Sequence, residues 1–142
     1  MLVDDLKRVQ ADTFAFYAKA HAYHWNVEGP NFNDYHAFLG TIYTDAWMAV
    51  DTLAEFVRQL DAYAPGVPRM ITELTQVKLD DGIPDAIEMF KRLEAENETV
   101  MEGIITCYMS AEAAGELGLS NFLQDRLAMH KKHRWMLKAI TK

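Results

Sequence analysis

The stretch Asn33–Ala62, NDYHAFLGTIYTDAWMAVDTLAEFVRQLDA, decides the fold. At ~100° per residue, Tyr35, Leu39, Ile42, Ala46, Val50, Leu53, Val57 and Leu60 fall on one stripe, which reads as the core face of a helix. Asp34, Thr41, Asp45, Thr52, Gln59 and Asp61 fall on a second stripe, which reads as solvent. Between them runs a third: His36, Gly40, Tyr43, Trp47, Asp51 and Glu55. A small glycine among large aromatics and ionisable groups suggests a protein–protein contact.

Outward from this helix the breakers are few. Gly29-Pro30 closes the segment before it and Pro65-Gly66-Val67-Pro68 the helix itself. Asp80-Asp81-Gly82-Ile83-Pro84 opens another segment, with Pro84 suited to a first helical turn. Gly115 and Gly118 precede Ser120, read as an N-cap. Four long helices result, about 3–26, 33–62, 84–116 and 120–140, with a short helix around Arg69–Gln76 in the long connection. Apolar residues recur every three or four positions rather than every two, so strands are not expected. The expectation is an all-α, ferritin-like four-helix bundle with a crossover, forming a single domain over residues 1–142.

The whole chain agrees. With 142 residues, half of them apolar and a quarter charged, it can build one real core. A net charge of −7 opposes polyanion binding and suits attraction of cations. Cys107 stands alone, which excludes an internal disulfide and points to a reducing compartment, the cytoplasm. Met1–Leu6 does not read as a signal peptide, and no apolar run approaches the ~20 residues of a membrane span.

Chemistry concentrates at four residues. Asp51 and Glu55, four apart, project from one helix face. His24 near the end of the first helix and His36 near the start of the second come to one end of the molecule across the Val27–Phe32 turn. Imidazole and carboxylate together suit iron, manganese or zinc. His36 and Asp51 are fifteen residues apart on one helix, about 22 Å at ~1.5 Å per residue. They cannot bind one metal within one chain. A two-fold axis near Tyr43 and Thr44 would bring His36 of one copy to Asp51 of the other and set Gly40 near the other copy's Trp47, twice over. No glutamate is followed three residues later by a histidine, which excludes the usual intrachain di-iron motif.

His24-Trp25-Asn26-Val27-Glu28-Gly29-Pro30, then Phe32, His36 and Asp51-Thr52-Leu53-Ala54-Glu55, resembles the signature of Dps proteins, the mini-ferritins. The last helix, Asp125 to Leu137 with His130, His133 and Trp135, is similar more loosely. The resemblance implies two-fold dimers assembled into a hollow dodecamer. It implies ferroxidase sites made of His24 and His36 from one chain with Asp51 and Glu55 from its partner. Ferrous iron would be oxidised there, by hydrogen peroxide or oxygen, and stored as ferric mineral, limiting oxidative damage. Trp25 resembles a tryptophan that intercepts stray oxidising equivalents, and Glu112, Glu116 and Asp125 would flank an iron-entry pore.

Two positions depart from the family pattern. Gly40 stands where an acid is usual, four residues after His36, and Phe56 where arginine is usual. The first removes a carboxylate, so one well-held iron per site and a slower ferroxidase are expected. A metal-sequestering shell with weakened oxidation is the corresponding alternative. His21 stays outside the ligand set, His130 and His133 read as surface residues without an acidic partner, and Cys107 and the methionines as packing. A DNA-binding shell is the other alternative. Its basis is the cluster Arg126, Lys131, Lys132, Arg134, Lys138 and Lys142, which the helix macrodipole explains equally well. The acids Asp4 and Asp5 and the overall charge argue against DNA.

Overall fold

A computed structural model describes all 142 residues. Helix α1 spans Leu2–Asn26 and α2 Phe32–Gln59; a single turn, α3, covers Val67–Arg69 and runs on as a π-helical turn, Met70–Leu74. Helices α4, Ala86–Ala113, and α5, Leu117–Thr141, complete the chain. Two helical hairpins, α1–α2 and α4–α5, pack together through α1 and α4. The expected all-α, ferritin-like bundle with a short helix in the crossover is what forms. No helix is long and apolar enough to cross a membrane.

Local chemistry sets the boundaries. Asp4 and Asp5 face the positive end of the α1 macrodipole. Gly29, at φ 122°, makes the turn into α2. Pro84 does not enter α4: Asp85 is the N-cap, and its side chain accepts from the Glu88 amide at 3.0 Å. Gly115, at φ 71°, ends α4, and α5 then starts at Leu117. Ser120, expected as the cap, is buried inside the first turns of α5.

Most of the core stripe of α2 is buried, with Leu39, Ile42, Ala46, Leu53 and Val57 sealed against Phe16, Phe90, Leu93 and Leu123, while Tyr35, Val50 and Leu60 are half-buried. Each large side chain so buried contributes about 1.5–3 kcal/mol. Cys107 lies in this core, and burial pushes its thiol up to about 12, so it is inert.

None of residues 76–84 makes a backbone–backbone hydrogen bond. Buried side chains of α1 and α4 hold this part of the crossover instead. Asp12 accepts from the Gln76 amide at 2.7 Å and the Thr75 hydroxyl at 2.9 Å. Lys19 donates to the Lys78 carbonyl at 2.7 Å, Glu96 accepts from the Lys78 amide, and Tyr23 and Arg92 bind Asp80. Burial raises the carboxyls of Asp12 and Glu96 above their ordinary range despite these bonds.

The solvent stripe of α2 needs one correction. Asp45 forms a bidentate pair with Arg126 of α5, both bonds 2.8 Å, and accepts from His133 at 3.0 Å. Burial opposes ionisation of Asp45, but Arg126 and His133 outweigh it and hold the carboxyl well below the carboxylate range. His130 and His133 are therefore not surface residues; both are buried. His130 bonds Asn97 through Nδ1 at 2.7 Å and lies 3.2 Å from Arg126. Burial, then the Arg126 charge, drives His130 far below its ordinary value, so it is neutral.

Candidate metal centre

The end of α1 and the start of α2 hold two imidazoles in one fixed arrangement. Nδ1 of His24 bonds the backbone carbonyl of His36 at 2.7 Å, and Nδ1 of His36 bonds the carbonyl of His24 at 2.7 Å. A carbonyl only accepts, so each Nδ1 carries a proton, and in the neutral imidazole the lone pair is on Nε2. The rings stack with centroids 3.7 Å apart and planes 17° apart. The turn at Gly29 brings the two helix ends close enough for this exchange. Imidazoles so oriented by a carbonyl behind them are prepared as metal ligands.

Aromatic packing supports the pair. Phe32 stacks on His36, centroids 4.9 Å apart, and Tyr43 meets His24 edge-on at 5.0 Å. Gly40 sits against the His24 ring: a Cβ there would lie 3.4 Å from Cε1 and 3.5 Å from Nδ1. His21, its ring 6.1 Å from that of His24, makes no hydrogen bond to either histidine of the pair. Its ring stacks on Tyr43 at 3.9 Å and bonds the Tyr17 hydroxyl at 2.8 Å, and burial lowers its pKa. Trp25 packs on His21 at 4.0 Å yet is 65% exposed, and Trp47, beside Tyr17, is 56% exposed.

Asp51 and Glu55 lie exposed farther along α2. Nowhere in the chain do three His, Cys, Asp or Glu side chains converge on one point that could hold a metal. One copy thus presents two imidazole nitrogens at one end of the α2 stripe and two carboxylates toward the other. Between them lie Gly40, Tyr43 and the exposed face of Trp47.

The ferritin-like domain model matches residues 3–142. The DNA protection during starvation protein of Helicobacter pylori is 30% identical over 142 residues, covering 94% of each chain. The chain belongs to the Dps family. The Dps protein of Bacillus brevis superposes with a TM-score of 0.93 at 28% identity, covering 99% of this chain and 95% of that one. Dps from Thermosynechococcus elongatus gives 0.95 at 26%, covering 99% and 90%. The Dps protein of Vibrio cholerae, described as a member of a broad superfamily of ferritin-like diiron-carboxylate proteins, gives 0.92 at 28%, covering 99% and 89%.

Within this Dps chain the structure brings together His24 and His36, packs Trp25 on His21 rather than on either of them, and leaves Asp51 and Glu55 apart from them. Glu112, Glu116 and Asp125 are exposed around the α4–α5 turn, at the end of the bundle where that hairpin closes. Sequence reasoning missed the network of Asp45, Asn97, Arg126, His130 and His133. Arg126, His130 and His133 share one face of α5, which was a signal; nothing in the sequence points to Asp45 or Asn97 as their partners.

Proposed function

We propose that this Dps protein binds ferrous iron at sites shared by two copies related by a two-fold axis. It oxidises the iron with hydrogen peroxide or oxygen and stores the ferric product inside a dodecameric shell. The observation that carries the reading is the reciprocal lock of His24 and His36. Two Nε2 lone pairs are held ready, and no carboxylate of the same chain joins them. An antiparallel α2 from a second copy supplies Asp51 and Glu55, giving two nitrogens and two oxygens, a set suited to a borderline divalent cation. The exposed faces of Trp47 and Met48 favour burial of this stripe against a partner.

With peroxide as oxidant, two ferrous ions give up one electron each. The peroxide accepts both electrons with two protons and leaves as two waters. The protein holds the cations and supplies carboxylate charge that favours the ferric state. Sequestering iron and consuming peroxide together limits radical damage.

Gly40 favours a second reading, a shell that binds iron but oxidises it slowly. No carboxylate stands where the side chain of residue 40 would begin beside His24, so one cation per site is held directly.

Mixing separates shared from private sites. His36→Ala and Asp51→Asn are each made, then allowed to exchange subunits. Ferrous oxidation followed by absorbance should be low in either variant and partly recovered in the mixture, because each mixed dimer regains one whole site. Absence of recovery with exchange confirmed would overturn the shared site. Normal peroxide- and oxygen-free binding with no oxidation in the wild type would favour the sequestering reading.

A further inference from the structure

A continuous cluster of rings leads away from the histidine pair between α1 and α2. Tyr43 meets the His24 ring edge-on, centroids 5.0 Å apart, and stacks on His21 at 3.9 Å with planes 7° apart. Tyr17 lies 6.2 Å from Tyr43 and 5.4 Å from His21. Trp25 and Trp47 form the rim, 4.0 Å from His21 and 5.0 Å from Tyr17. Tyr17, His21 and Tyr43 are half-buried, whereas both tryptophans are exposed. One polar bond lies inside the cluster, between the Tyr17 hydroxyl and Nδ1 of His21, 2.8 Å apart. The Tyr43 hydroxyl and the two indole N–H groups make no hydrogen bond within the chain.

On the single-cation reading that Gly40 favours, each site has one electron at hand, because one ferrous ion gives one. Hydrogen peroxide needs two electrons to become water. Given only one, its O–O bond breaks into hydroxide and a hydroxyl radical. A second donor within reach of His24 removes that outcome. A phenol gives up an electron easily only when its O–H proton leaves as well, and this takes a base at hydrogen-bond distance. Tyr43 has none. Tyr17 has His21, whose Nδ1 at 2.8 Å lies inside the reach of a general base, about 2.6–3.2 Å. The half-buried position of Tyr17 also keeps a radical on its ring from open solvent, which the exposed indoles do not.

We propose that Tyr17, with His21 as its proton acceptor, is the second electron donor of the iron site; this rests on the single-cation reading of that site. The Tyr17 hydroxyl donates to Nδ1, so the other ring nitrogen carries the proton of neutral His21. When peroxide arrives, iron goes from ferrous to ferric and Tyr17 to its neutral phenoxyl radical. The Tyr17 O–H bond breaks; its electron passes through the rings of Tyr43 and His24, and its proton moves to Nδ1 of His21. The peroxide O–O bond breaks, and two electrons with two protons from solvent make two waters. A second ferrous ion, bound after the first has moved on as ferric product, returns the electron to Tyr17, and His21 returns the proton. Two ferrous ions are then consumed per peroxide although the site holds one at a time.

Two measurements on the full chain test this, with circular dichroism and cobalt titration checking that each variant folds and binds a cation. Solid-state nitrogen NMR of histidine-labelled, metal-free protein should show His21 protonated at Nε2 alone, its signals assigned by their loss in His21→Gln. Freeze-quench electron paramagnetic resonance then follows one ferrous ion per site mixed with peroxide without oxygen. Wild type should give ferric iron and a tyrosyl radical in equal amounts, and a second ferrous equivalent should erase the radical. Tyr43→Phe, which keeps the ring, should do the same. Tyr17→Phe should lose the radical, and spin-trapped hydroxyl radical should rise several-fold. His21→Gln still accepts a hydrogen bond but cannot hold the proton, so its radical should form about a hundredfold more slowly. A radical that survives Tyr17→Phe, an indole radical in its place, an undiminished rate in His21→Gln, or a proton on Nδ1 of His21 in the metal-free protein would each overturn the proposal. Failure of the wild type to bind cobalt would overturn the iron site and this role together, with the Tyr17–His21 bond still visible by NMR.

Discussion

Replacing Arg126 with Leu tests how much the buried polar network holds the bundle together. Arg126 grips Asp45 with two bonds of 2.8 Å, and their side chains are 9% and 19% exposed. Removing one member of a buried pair leaves a desolvated charge and costs about 3–5 kcal/mol. The His133 bond at 3.0 Å and the residual exposure of Asp45 soften this, so about 2–4 kcal/mol is expected. For a chain of this size that lowers Tm by roughly 10 °C. Thermal unfolding by circular dichroism, at one protein concentration for both chains, reads it out. The pH dependence has a definite sign. The folded pKa of Asp45 is depressed, so its contribution is full above the ordinary aspartate value of about 3.9 and is lost as pH falls below it. The gap between wild type and Arg126→Leu should therefore narrow from pH 7 to pH 3. The double variant Asp45→Leu/Arg126→Leu should recover much of the loss, because no charge is left buried alone. A loss below about 1 kcal/mol at pH 7, or a gap unchanged at pH 3, would show that the Arg126–Asp45 pair does not hold the bundle together.

Glu96→Gln keeps an oxygen for the Lys78 amide and removes a carboxylate whose pKa burial has raised. Wild type loses stability as pH rises through that raised value, above about 4.3, so the variant should show a flatter stability profile there. Gly40→Asp places a carboxylate beside His24 with its Cβ at ordinary contact distance, so folding should be kept and cobalt titration should rise from one to two cations per site; an unchanged stoichiometry would contradict the single-cation reading. Glu112→Gln/Glu116→Gln/Asp125→Asn should slow iron uptake several-fold if these acids conduct iron, and unchanged uptake in an intact assembly would exclude that role. Gel retardation of DNA should be absent at physiological salt; retardation that survives it would show that the basic cluster of α5 binds DNA.

Much of this structure is legible from periodicity and spacing. The α2 stripe predicted five buried residues, Leu39, Ile42, Ala46, Leu53 and Val57, while Tyr35, Val50 and Leu60 at its margins are half-buried and Ala49 is buried from outside it; the distance from His36 to Asp51 calls for a second copy if the two bind one metal. The exceptions have physical causes. Asp45 lies on the polar side of α2, and a helical wheel cannot know that Arg126 arrives there from α5, eighty-one residues later. His130 and His133 looked solvent-facing because their partners, Asn97 and Asp45, sit on other helices. The boundaries at Asp85 and Leu117 moved because a cap with a satisfied hydrogen bond, and a glycine at positive φ, outrank a nearby proline or serine. The lock between His24 and His36 runs through backbone carbonyls, which a sequence does not display.

In the proposed site one metal is held by two chains. A crystal soaked in ferrous iron, measured for anomalous scattering at the iron edge, tests it most directly. A peak is expected about 2.0–2.2 Å from Nε2 of His24 and His36 of one copy and from Asp51 and Glu55 of its two-fold mate, on the scale of metal–nitrogen and metal–oxygen bonds. Iron bound by residues of a single copy, or no peak beside the two histidines, would contradict it.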